Sequence, residues 1–179
     1  MEIRIEVEAD IAGVREVEEA AFHTKAEAAL VDRLRADGSI VMSLVAVESG
    51  NIVGHVVFSR MEFPRHCLVL GPVCVLASHR QRGVAAALIR KGLNLSKQEG
   101  WAIVFVLCDP TYYKRFGFDP ELAQGFTSPY AGPHLMALLL QPDASREGPG
   151  AIRTSLRLVG LDRVPCIIAD LSRVIFDRL

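Results

Sequence analysis

The hexapeptide Arg80-Gln81-Arg82-Gly83-Val84-Ala85 stands where an apolar run gives way to a helical pattern. The first amides of a helix have no partner within it and together carry about half a positive charge. Gly83 and Ala85 present almost no side chain, so an anion can approach the backbone closely. Arg80 and Arg82 add charge. This is the chemistry of a diphosphate cradle. An ordinary strand-to-helix turn with solvated arginines would use the same residues, so the hexapeptide alone leaves both readings open. It is neither G-x-x-x-x-G-K-[S/T] nor G-x-G-x-x-G. A second segment follows the next strand: Asp109-Pro110-Thr111-Tyr112-Tyr113-Lys114-Arg115-Phe116-Gly117-Phe118. Two tyrosines just past the carboxyl end of a strand are well placed for a site in an open sheet. A phenol there can give a proton to a leaving group.

The elements that must position these residues are legible from periodicity. Residues 3–7 alternate apolar and polar, as a half-buried strand does. Asp10 is expected to cap a helix whose apolar side is Ile11, Val14, Val17, Ala20 and Ala21. A second helix is expected over 25–36, with Ala29, Leu30, Val31 and Leu34 inward and Gly38 as its stop. Strands at 41–47 and 52–58 flank the turn signal Ser49-Gly50-Asn51 and predict a hairpin. The run 67–76 is a strand interrupted by Gly71-Pro72, which predicts a bulge. A helix over 83–98 packs through Ala85, Leu88, Ile89 and Leu93. Strands at 101–107 and 135–140 bracket a short helix closed by Gly117. Hairpins beside a strand-helix-strand crossover predict an α/β (α+β) fold with a mixed sheet and helices on its faces.

Composition narrows the function. The chain has 179 residues, 50% of them hydrophobic, which suits one domain and excludes intrinsic disorder. Lys plus Arg is 20 and Asp plus Glu 21, so no positive excess exists to displace counterions from nucleic acid. No apolar run approaches the roughly 20 residues of a membrane span. The first ten residues are charged and alternating, unlike a secretory leader, so a cytoplasmic protein is expected. Cys67, Cys74, Cys108 and Cys166 form no C-x-x-C pair and read as reduced thiols. No metal is expected. The five histidines (23, 55, 66, 79 and 134) are scattered and read as structural or solvated.

Together the two motifs resemble the GNAT superfamily of acetyl-CoA-dependent N-acetyltransferases. The family's [Q/R]-x-x-G-x-[G/A] is matched by Arg80-x-x-Gly83-x-Ala85, and its Tyr four residues before Gly-Phe by Tyr113 before Gly117-Phe118. Residues 70–76, Leu-Gly-Pro-Val-Cys-Val-Leu, look like its bulged fourth strand. The segment 108–118 is similar to a subgroup of small bacterial-type acetyltransferases. The resemblance covers residues 1–142. It implies a mostly antiparallel sheet whose fourth strand splays from the fifth, and acetyl-CoA as cosubstrate.

The resemblance also implies roles. Arg80, Gln81, Arg82, Gly83, Val84, Ala85 and Ala86 would hold the pyrophosphate. Val73, Cys74 and Val75 would pair with the pantetheine arm as an added strand does. Tyr113 would protonate the departing thiolate, with Tyr112 as the rival donor and Phe116 beside the coenzyme. The amine would attack the acetyl carbon directly in a ternary complex. No carboxylate lies in 68–76, so Glu62 is the nearest candidate base, with Asp109 as another. An amine whose own pKa falls on burial would need neither. The acceptor is expected to be an amine on a small molecule or peptide, and a homodimer is compatible with the sequence. The alternative is a CoA- or acyl-CoA-binding regulatory module without turnover. Residues 143–179 read as a linker and a C-terminal extension unlike the subgroup's usual ending.

Overall fold

Alternation along the strands builds the sheet. In the computed structural model, which describes residues 1–141 and 153–154, the strands are β1 (Glu2–Ile5), β2 (Ile40–Glu48), β3 (Asn51–Phe63), β4 (Cys67–Val75), β5 (Ile103–Leu107), β6 (Leu135–Leu139) and β7 (Arg153–Thr154). The helices are α1 (Ile11–Phe22), α2 (Ala26–Ala36), α3 (Val84–Gln98) and α4 (Pro110–Tyr113). Strand order follows the chain, β1-β2-β3-β4-β5-β6, and β7 pairs with the far end of β3. Every neighbouring pair is antiparallel except β4 and β5, which the α3 crossover makes parallel. The expected mixed, mostly antiparallel sheet is therefore present. The segment 143–179 lies outside the described residues, apart from β7. Among the described residues no helix is long and apolar enough to cross a membrane.

Helices cover both faces because alternate strand residues point to opposite sides. Leu44, Val56, Phe58, Val73 and Val75 form the main core with Leu88 and Ile89 of α3. Val57 packs with Val31 and Leu34 of α2, and Cys74 with Val17 and Ala21 of α1. The α1 face differs from the expectation at one place. Ala20 is exposed, and the buried residues are Val14, Val17, Glu18 and Ala21. On α2, Ala28 takes the inward position expected for Ala29. The hairpin is as expected: Ser49 and Gly50 have φ of 51° and 80°, so both central residues are left-handed, which matches the twist of β2 and β3. Cys67 and Cys74 are buried and in no disulfide, as expected, and Cys166 lies outside the described residues.

α3 can lie close to the sheet only because residue 92 is glycine. A methyl built there would overlap the ring of Phe58, which is fully buried and has no room to retreat. Gly92→Ala is expected to destabilise the fold by about 2 kcal/mol, seen as a lower urea midpoint at unchanged slope.

Asp10 does not cap α1 with its side chain. Its carboxylate turns back to Arg4, at 2.5 and 2.9 Å, and accepts from the Val7 amide at 2.8 Å. The bond to Arg4 holds its pKa at about 2, against the opposing effect of burial. A folded pKa below the unfolded value means stability that is present above about pH 4 and lost as pH falls towards 2. Asp10→Asn is therefore expected to cost about 1 kcal/mol at neutral pH, given solvent screening of the pair. The gap from wild type should close in urea titrations near pH 2.

Candidate active site

The sheet opens where the sequence places Gly71-Pro72. On β3, Val56 faces Val73 and Phe58 faces Leu70, so Val57 alone opposes both Gly71 and Pro72. That is a bulge of one extra residue in β4. Gly71 has φ of 143°, a backbone region that side chains rarely tolerate. The parallel ladder to β5 comprises Cys67 with Ile103, Leu68 with Val104 and Val69 with Phe105, and goes no further. Past Val69 the two strands diverge. Residues 73–75 stay paired to β3, but their other edge is not paired to β5. Val73 and Val75 send their side chains into the α3 core. Cys74 points the opposite way, towards α1, where burial pushes its thiol pKa up. What these residues offer a ligand is backbone.

At the end of this cleft the chain turns into α3. Gln81 and Gly83 are left-handed, with φ of 59° and 78°. Gly83 is the N-cap and no side chain caps the helix. Among the described residues, no protein group accepts a hydrogen bond from the amides of 82–86. A side chain on Gly83 would meet nothing within 4 Å, so the approach is open. Of the residues here, Val84 and Ala85 are buried, Ala86 is half-buried, and Gln81, Arg82 and Gly83 are exposed.

The two arginines do something the sequence did not show. The Arg82 guanidinium grips Glu48 at the end of β2 through two bonds, of 2.9 and 3.2 Å. His79 Nε2 lies 2.9 Å from the same carboxylate, whose pKa the Arg82 and His79 bonds lower. Arg80 reaches back to the carbonyls of Ala21 and Val75, at 3.3 and 3.4 Å. Both arginines thus shape the loop through their protein partners.

α4 follows β5, so it sits at the same end of the sheet as residue 75 and the start of α3. Asp109 caps it, its Oδ1 accepting from the Thr111 amide at 2.8 Å, which gives that carboxylate a structural task. Tyr113 is fully buried, ringed edge-on by Tyr112 and Phe118 with centroids 5.4 and 5.5 Å away. Among the described residues its hydroxyl has no hydrogen-bond partner. Burial, with a smaller effect from Tyr112, raises its pKa well above the ordinary phenol value. Tyr112 is half-buried, with the Arg115 guanidinium 4.5 Å from its ring centre, and Phe116 takes the Arg90 guanidinium at 5.6 Å.

Glu62 is not brought to this place. It lies on β3 beyond Arg60, the partner of Leu68, and so at the opposite end of β4 from residues 73–75. There it is exposed in a cleft of about 590 Å³ with Arg60, Arg65, His66, Glu99 and Trp101.

Comparison with known proteins bears on this geometry. The model of the GNAT acetyltransferase family matches residues 11–118, from α1 through the Tyr113 segment. This chain belongs to the GNAT family of acetyltransferases. The uncharacterized N-acetyltransferase YhbS of Escherichia coli (strain K12) is 36% identical over 123 residues, 66% of this chain and 74% of that protein. The uncharacterized N-acetyltransferase YjhQ of the same strain is 37% identical over 132 residues, 69% of this chain and 73% of that protein. The crystal structure of Escherichia coli YhbS in complex with CoA superposes with a TM-score of 0.80 at 30% identity, covering 86% of this chain and 88% of that one. A GNAT acetyltransferase from Brucella melitensis in complex with acetyl-CoA gives 0.68 at 34% identity, covering 79% and 88%. The GNAT chain described here therefore shares fold and sequence with proteins crystallised holding coenzyme A or its acetyl thioester.

The sequence did not reveal one buried cluster of this GNAT chain. Glu18 of α1, His55 of β3, Ser43 of β2 and Glu6 line up between the sheet and the helices. Burial would raise the Glu6 pKa, but bonds from His55 and Ser43 and the charge of Arg35 hold it at about 2. Burial would lower the His55 pKa, but Glu18 and Glu6 raise it instead. The available signal was the position of Glu18, one residue after Val17 and three before Ala21 on the buried side of α1.

Proposed function

We propose that this chain transfers an acetyl group from acetyl-CoA to a primary amine by direct attack in a ternary complex. The observation that carries the reading is Tyr113: a fully buried phenol whose hydroxyl has no hydrogen-bond partner among the described residues, in one apolar cluster with Val73, Val75, Val84 and Ala85. A buried polar group left unsatisfied costs about 1–3 kcal/mol. Such a group is retained where a ligand completes it.

The residues fit the thioester. The amides of 82–86 take the pyrophosphate, where its charge meets the helix dipole. The edge of 73–75 that β5 leaves unpaired takes the amide groups of the pantetheine arm, in the manner of strand addition. A backbone amide at the bulge stands as donor to the thioester oxygen, whose negative charge grows as the amine attacks. The new C–N bond forms as the C–S bond breaks, the Tyr113 proton passes to sulfur, and the proton shed by the acetylated nitrogen restores the Tyr113 phenol. The raised pKa keeps that proton on the phenol until a thiolate needs it. With Glu62 remote and Asp109 occupied as a cap, the amine enters neutral, helped by its own burial.

Titration calorimetry with acetyl-CoA, followed by thiol release with a panel of primary amines, tests this. Saturable binding and amine-dependent thiol release are expected. Binding without turnover on any amine would make the chain an acyl-CoA-binding regulator, and no binding at millimolar acetyl-CoA would end both readings. The remaining expectations, residence in the cytoplasm and assembly as a homodimer, belong to this proposal and are checked by fractionation and light scattering.

A further inference from the structure

The buried cluster between the sheet and α1 contains a set of atoms that the acetyl transfer does not use. His55 and Cys74 lie directly opposite one another on β3 and β4. Glu18 faces them from α1, and the three are 0%, 1% and 0% exposed in the order His55, Cys74, Glu18. One nitrogen, one sulfur and one carboxylate oxygen all lie within 4.8 Å of each other. Glu18 Oε1 bonds His55 Nδ1 at 2.7 Å, but Glu18 Oε2 is buried with no hydrogen-bond partner among the described residues.

We propose that Glu18, His55 and Cys74 form a binding site for a borderline-soft divalent transition metal of the zinc type. The donor set is the first reason. Carboxylate, imidazole and thiolate together suit zinc or cobalt, whereas magnesium and calcium require oxygen ligands throughout. Charge is the second. A dication with one thiolate and one carboxylate is neutral, which a dry interior tolerates. Distance is the third. Bonds of about 2.0–2.3 Å in a tetrahedron place ligand atoms roughly 3.3–3.8 Å apart, so side-chain shifts of about 1 Å close the site. The fourth reason is the support behind His55. Its Nε2 donates to Ser43 Oγ at 2.7 Å and lies 3.4 Å from Glu6, which Arg35 holds at 2.6 Å. Metal-bound histidines are oriented in this way, with the outward nitrogen given to an acceptor. The ion displaces the thiol proton of Cys74 and the Nδ1 proton of His55 to solvent, and Glu18 Oε2 gains the partner it lacks. A bound ion would tie α1 to β3 and β4 directly behind the cleft wall.

The experiment uses the full chain stripped with chelator and equilibrated overnight with cobalt(II), since the site is closed to fast entry. One ion per chain and a thiolate-to-cobalt charge-transfer band are expected, with a rise of several degrees in Tm at about a hundredfold excess over Kd. Cys74→Ser and Glu18→Gln should lose the band, and Cys67→Ala, which removes a buried thiol elsewhere on β4, should keep it. The absence of stoichiometric cobalt at micromolar free metal overturns the proposal, as does an undiminished band in folded Cys74→Ser. Should neither variant fold, X-ray absorption on the zinc-loaded wild type decides. One sulfur at about 2.3 Å among lighter ligands at about 2.0 Å supports the site, and no sulfur overturns it.

Discussion

Tyr113→Phe is expected to lower kcat by about 10²–10⁴ while leaving acetyl-CoA affinity within a few-fold of wild type. The sizes follow from the surroundings of the ring. All of its packing, against Tyr112, Phe116 and Phe118, is retained by phenylalanine. Only the hydroxyl goes, and among the described residues nothing bonds to it. Removing it relieves a desolvation cost in the free protein, so thermal unfolding should occur at the same temperature or slightly higher. A residue that merely supported the fold would behave oppositely, losing stability and activity together. The raised phenol pKa adds a second mark: the wild-type rate should show no alkaline limb from this group below pH 10. Steady-state kinetics, calorimetry and a melting curve on one pair of proteins test all three. A kcat unchanged in the phenylalanine variant would remove Tyr113 from the chemistry.

Gly83→Asp should weaken acetyl-CoA binding by at least about a hundredfold, near 2.7 kcal/mol. Space is not the cause, since a Cβ on Gly83 meets no atom within 4 Å. The effect is electrostatic. The new carboxylate stands at the mouth of the amides of 82–86 and repels the pyrophosphate they would bind. Aspartate tolerates the left-handed backbone of residue 83 better than most side chains, and negative charge favours a helix start. The fold should therefore lose no more than about 1 kcal/mol. Gly83→Asn, of the same shape without the charge, should bind nearly as wild type. Equal loss in both variants would mean that the anion sits elsewhere.

The fold was legible where local chemistry and packing agree. Gly71-Pro72 announced the bulge, because a residue without a donor and one without a Cβ rarely share a regular ladder. Ser49-Gly50 announced the hairpin. The start of α3 was legible from Gly83 and its neighbours. Other features depended on what no single segment contains. β3 runs to Phe63 because Ser59 and Met61 are buried between exposed Arg60 and Glu62, a period-two alternation that continues past the apolar run. Glu62 is the carboxylate nearest in sequence, and register puts it at the other end of β4 from residues 73–75. Asp10 has a capping residue's type and position, but Arg4, six residues earlier on β1, claims its carboxylate. Glu18, His55 and Cys74 lie on three elements far apart in the chain, and only strand pairing makes them neighbours.

Glu48 ends the strand that leads into the β2–β3 hairpin, and it holds both His79 and Arg82 of the loop before α3. The curvature of that loop is thus inherited from a tight turn elsewhere in the chain. Its backbone freedom is surrendered during folding, before any ligand arrives. Capture of a phosphate-bearing molecule should then proceed in one kinetic phase, with an observed rate that climbs linearly with concentration, as docking onto a ready-made surface does.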